Sequence, residues 1–145
     1  MNQEIKKSIV FQAKDGTSNE FEYTYENLPV YGRNVWNFFV ASKHIEVKNK
    51  FQISFTEIDK NTVKCTVMEK NDEYYSAKGI PEKMIEEAFL ELNKEVVSSS
   101  NSNNHKKINE EFRTDSATKV WIRLKELGKA TYNEEEDFYT FINLN

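Results

Sequence analysis

The chain has 145 residues, a formal net charge of −4 and a sequence pI near 5.3: enough length for one hydrophobic core, and no general basic field for DNA, RNA or anionic lipid. Its single cysteine, Cys65, excludes an internal disulfide and a thiolate metal cluster. No segment approaches the ~20 apolar residues of a membrane span and the first residues lack the apolar run of a signal peptide, so the sequence predicts a cytoplasmic protein with no nucleic-acid or membrane partner.

Along the chain, "SIVFQAKDGTSNEFEYTY" predicts two short strands around a turn carrying Asp15, Gly16 and Asn19, with Phe21, Tyr23 and Tyr25 on one face of the second. After the turn-forming "LPVYG", the spacing of Val35, Trp36, Phe39 and Val40 predicts a short helix. "KFQISFTEIDKNTVKCTVMEK" predicts a β-hairpin, because Phe51, Ile53 and Phe55 alternate with Gln52, Ser54 and Thr56, and Val63, Cys65 and Val67 alternate beyond the turn. Cys65 is then a buried strand thiol.

The period changes at Ile80. Ile80, Met84, Ile85, Ala88, Phe89 and Leu92 share a helical face, Pro81 suits a first turn that needs no N–H, and Glu82, Glu86 and Glu87 favour its positive end. "VVSSSNSNN" predicts a short strand running into a Ser/Asn-rich flexible loop, about residues 98–110. Ala117, Val120, Trp121, Leu124 and Leu127 predict a second helix, capped by Asp115 or Ser116 and ended by Gly128. "KATY" and "FYTFI" close the chain as a hairpin. Trp36 and Trp121 are expected in the core, and His44 and His105 at the surface with no metal-ligand spacing. The whole is expected to be a single α+β domain: a mixed, mostly antiparallel sheet with helices packed on it.

A hairpin, a strand ending at "AKGI", a helix, the strand "VVSSS", the helix "ATKVWIRLKELG" and a terminal hairpin resemble, over residues 50–142, the order of the GNAT family of N-acetyltransferases. The resemblance implies an acyl-CoA N-acyltransferase-like fold, a V-shaped opening between the strands flanking the first helix, and acetyl-CoA as cofactor. In that family a Q/R-x-x-G-x-G/A turn binds the pyrophosphate of acyl-CoA. In "YSAKGIP", Ser76 takes the Q/R position, Gly79 the first glycine and Pro81, which has no N–H, the second. The cofactor candidates are therefore Lys78, Gly79, Ile80 and Lys83. A family tyrosine on the later helix, often the general acid, is replaced by Leu124 when Gly128 is set on the family glycine. Glu57, Glu73, Tyr74 and Tyr75 are the candidates for proton transfer near the central strands.

Loss of the tyrosine and of one cradle donor leads to the expectation of a non-enzymatic binding or inhibitory module on this fold, acting on a protein partner or small molecule. Its composition is compatible with a phage or mobile-element protein. The alternative is an acetyl-CoA-dependent N-acetyltransferase acting on an amine. A winged-helix reading of the last third is opposed by charge, since residues 115–145 carry four basic and six acidic side chains.

Overall fold

The computed structural model describes residues 5–12, 18–101 and 113–142. Its strands are β1 (Ile5–Gln12), β2 (Ser18–Val30), β3 (Arg33–Ser42), β4 (Phe51–Asp59), β5 (Thr62–Glu69), β6 (Glu95–Ser98), β7 (Ala130–Asn133) and β8 (Phe138–Phe141), with helices α1 (Ile80–Leu92) and α2 (Asp115–Glu126). They form one eight-stranded α+β sheet in the order β1-β2-β3-β4-β5-β6-β8-β7. Every neighbouring pair is antiparallel except β5 and β6, which run parallel and are joined by α1.

One expected helix is a strand. Residues 33–42 form β3, paired with both β2 and β4. Trp36, Phe38 and Val40 are buried on one face while Val35, Asn37 and Phe39 lie on the other, so the working period is two. A central strand with apolar residues on both faces mimics helical spacing, and the β-branched and aromatic content settles the contest toward the sheet. Trp36 keeps its core place from a strand, and Trp121, on α2, is buried as expected.

The strand expected to end at "AKGI" stops at Glu69. Asn71 (φ 65°) and Ala77 (φ 57°) reverse the chain around a 3-10 turn at Glu73–Tyr75, which Asp72 caps through its carboxylate. The Asp15–Gly16 turn and His105 lie outside the described residues; Asn19 lies in β2.

Both helices cover one face of the sheet. Ile80, Met84, Ile85 and Ala88 of α1 are buried, Phe89 meets Phe141 at 5.3 Å, and Trp121 stacks on Tyr139 at 6.0 Å. Each such large apolar side chain withdrawn from water contributes roughly 1.5–3 kcal/mol. Beneath them lies the aromatic core of Phe21, Tyr23, Tyr25, Phe38, Phe51 and Phe55. The Tyr23 and Tyr25 hydroxyls both donate to Glu91 of α1, at 3.5 and 3.2 Å. Thr114, and neither Asp115 nor Ser116 as expected, caps α2 by accepting from the Ala117 N–H at 3.1 Å.

Candidate functional site

Gly79 is the N-cap of α1 and holds φ +79°, the left-handed region that favours glycine. A Cβ built on it would meet nothing within 4 Å, so its backbone conformation, and not a close neighbour, selects glycine. Ile80 is wholly buried, anchoring the helix start in the core. Lys78 lies over the Tyr74 ring at 5.5 Å, and Lys83 is ion-paired with Glu86 at 3.0 Å. Burial alone would raise the Glu86 carboxyl, but Lys83 and Lys129 outweigh it and hold it below its usual range.

Beside this turn a groove of about 550 Å³ runs between the starts of α1 and α2. Phe51, Met68 and Val120 give it apolar walls, and Lys70, Glu82, Lys119 and Arg123 a rim of both charges. Glu82, in the first turn of α1, reaches Arg123 of α2 at 3.3 Å, so a carboxylate already occupies the positive end of the helix. The size and lining suit a small ligand or a partner's side chain.

The pairing of β5 with β6 ends at Cys65–Ser98, beyond which β5 continues alone beside β4. The wedge so opened is filled. Only about 40 Å³ is left in it, among Cys65, Thr66, Met68, Ser99, Arg113 and Trp121. Arg113, buried, donates from Nη1 to the Ser99 carbonyl at 2.9 Å, from Nη2 to Asp137 Oδ1 at 2.8 Å and from Nε to Thr118 Oγ1 at 2.8 Å. Its guanidinium also lies over the Tyr139 ring at 5.1 Å. Burial would raise the Asp137 carboxyl, but hydrogen bonds from Arg113, from Tyr132 (2.7 Å) and from the Asn101 N–H hold it below the ordinary carboxylate range.

Of the segment 98–110 expected to be a flexible loop, Ser98 closes β6 and accepts from the Tyr139 N–H, and Ser99 and Ser100 are buried. The Ser99 hydroxyl donates to the Cys65 carbonyl and the Ser100 hydroxyl to that of Glu136; residues 102–110 lie outside the described residues. Burial pushes the Cys65 thiol up to about 12, which suits an inert strand residue.

The proton-transfer candidates do not converge. Glu57 sits toward the β4–β5 turn, accepting from Asn34 at 3.2 Å. Glu73, Tyr74 and Tyr75 follow the other end of β5, about 20 Å away at the ~3.3 Å rise of a strand. Glu73 is held below its usual range by Lys70 and Ser76, which makes it a poorer base. The Tyr75 hydroxyl is committed to the Asn49 carbonyl at 2.6 Å, and burial raises it. Leu124, at the family tyrosine's position, is core. His44 is exposed and bonded to Glu20 at 2.6 Å. Arg113 and Asp137 escape sequence reasoning because nothing local joins residues so far apart along the chain. The chain matches no family model, no curated protein and no solved structure.

Proposed function

We propose that the chain is a non-enzymatic binding or inhibitory module on an acetyltransferase-like sheet, taking its ligand in the groove between α1 and α2. The parallel β5–α1–β6 unit with the terminal hairpin beside it supports the fold half of this reading. The filled wedge carries the functional half. The resemblance implies that an acetyl-CoA arm would reach its acceptor between β5 and β6, yet the space there is about 40 Å³, enough for a very few waters at ~10–15 Å³ each. At the other end of the cofactor, Pro81 withholds an N–H, Glu82 presents a carboxylate and Lys83 is engaged by Glu86. These residues do not fit acetyl-CoA along its length.

One observation favours the alternative, an N-acetyltransferase acting on an amine: the open groove lies at the helix start where the resemblance would place the pyrophosphate. Two experiments separate the readings. Thiol release from acetyl-CoA, measured with spermidine, polylysine and aminoglycosides as acceptors, is expected to stay at the blank, and protein-dependent release would establish the enzyme. A fragment library screened by amide chemical shifts is expected to move Ala77, Gly79 and Lys119 and to leave Thr66 and Ser99 in place. Shifts at Thr66 and Ser99 alone would put the binding surface elsewhere.

A further inference from the structure

The sheet face turned away from α1 and α2 carries a recess at the end where β2 turns into β3 and β4 into β5, and an exposed ring stands at the tip of the β2–β3 hairpin at that same end. The protruding ring is that of Tyr31, 95% exposed. Tyr31 (φ 50°) and Gly32 (φ 79°) are both left-handed, the geometry of a tight hairpin turn whose first position favours Asn, Asp or Gly. A bulky ring there strains the backbone, and its exposure means that no packing within the chain offsets the cost. Val30, beside it, is 46% exposed.

The recess, about 260 Å³, lies across β4, β5, β6 and β8. Ile58, Val97 and Phe138 line it, with Lys64 and Ser100 at its wall and Glu95 at its mouth. The pairing register puts Val30, Arg33, Lys64 and Val97 on this same helix-free face. From the hairpin to the recess is about three strand spacings, roughly 14 Å at ~4.8 Å each.

From this geometry we infer that the face binds a second copy of the chain, each Tyr31 entering the recess of its partner. A two-fold axis running along the strands, midway between tip and recess, turns one copy face to face with another and sets each tip over the other's recess. An isologous contact requires that kind of self-complementarity. Charge agrees with shape. Arg33, paired with Val30 beside the protrusion, comes over Glu95 at the mouth of the recess, and neither side chain has a charged or hydrogen-bonded partner among the described residues. A tyrosine with an adjacent arginine is the composition of an interface anchor. With one ring and one ion pair per copy as its anchors, the contact belongs to the weak end of the interface range, and the dimer is expected in the micromolar range or above. This inference does not depend on the ligand proposed for the groove.

Sedimentation of the full chain from about 5 to about 500 μM, spanning the range where a weak complex forms, tests it. The average mass is expected to rise from 17.1 kDa toward the dimer. Tyr31→Asn, which suits the turn, is expected to keep or raise the Tm and to raise the dimer Kd about tenfold or more. Arg33→Glu and Glu95→Arg are each expected to weaken association, and together to restore it. A wild-type chain that stays monomeric throughout, a Tyr31→Asn variant that dimerises unchanged, or a double charge exchange that restores nothing would overturn the proposal.

Discussion

Met68 borders two recesses of opposite character. On one side is the wedge between β5 and β6, packed by Trp121 and crossed by the Arg113–Asp137 pair. On the other is the groove between the helix starts, with exposed lysines on its rim and more than ten times the free space. A filled, fully hydrogen-bonded site holds elements together, whereas an open one with loosely held polar groups can exchange its water for a ligand. The buried Arg113–Asp137 pair therefore joins β6, α2 and the β7–β8 turn, and the groove is where we propose that a ligand binds.

The largest expected effect comes from emptying the filled side. Trp121→Ala removes a side chain 1% exposed and should cost about 3–5 kcal/mol by denaturant unfolding, while Lys119→Ala on the groove rim should stay within about 0.5 kcal/mol. Equal costs would erase the contrast. Arg113→Met follows, at about 2–4 kcal/mol, because it strands the Asp137 carboxylate; adding Asp137→Asn should recover part of the loss. Additive costs in that cycle would mean that the two side chains act separately.

Gly79→Ala is expected to cost about 1 kcal/mol, from backbone strain alone, since a Cβ there has open space. A cost above about 3 kcal/mol by thermal unfolding would point to a close packing role instead. The smallest effect concerns acid. The folded Asp137 carboxyl is held below its unfolded value of about 3.9, so between the two values the unfolded chain binds more protons and stability rises with pH. The stabilisation is present above about pH 4 and is lost as the pH falls through the folded value. The difference in unfolding free energy between the native chain and Asp137→Asn should be constant from pH 5 to 7 and shrink below about 4, and a difference constant down to pH 2 would contradict this.

Where one face of an element is buried and the other solvated, the sequence was legible. β4 alternates Phe51, Ile53 and Phe55 with polar residues, and α1 spaces Ile80, Met84, Ile85 and Ala88 on one stripe; both stand as expected. β3 was not legible, because Phe38 faces the core and Phe39 the opposite side, so two apolar faces summed to a false helical period. Nor was the end of β5. Tyr74 and Tyr75 have strong strand propensity, but left-handed Asn71 and Ala77 turn them into a cap over Phe51 and Phe21. Of the candidate site, the glycine turn could be read from "AKGIP", since its signal is local. Closure of the wedge could not, because Arg113 reaches Ser99 and Asp137, 14 and 24 residues away.

The central claim, a filled wedge beside an open groove on a fold that does not hold acetyl-CoA, is tested most directly by titrating the full chain with acetyl-CoA in a calorimeter at about 150 mM salt, where exposed charges are screened beyond ~8 Å. The account predicts a dissociation constant weaker than about 100 μM, changed less than threefold by Lys78→Ala and Lys83→Ala together. Binding in the low micromolar range or tighter, abolished by that double substitution, would contradict it and restore the acetyltransferase reading.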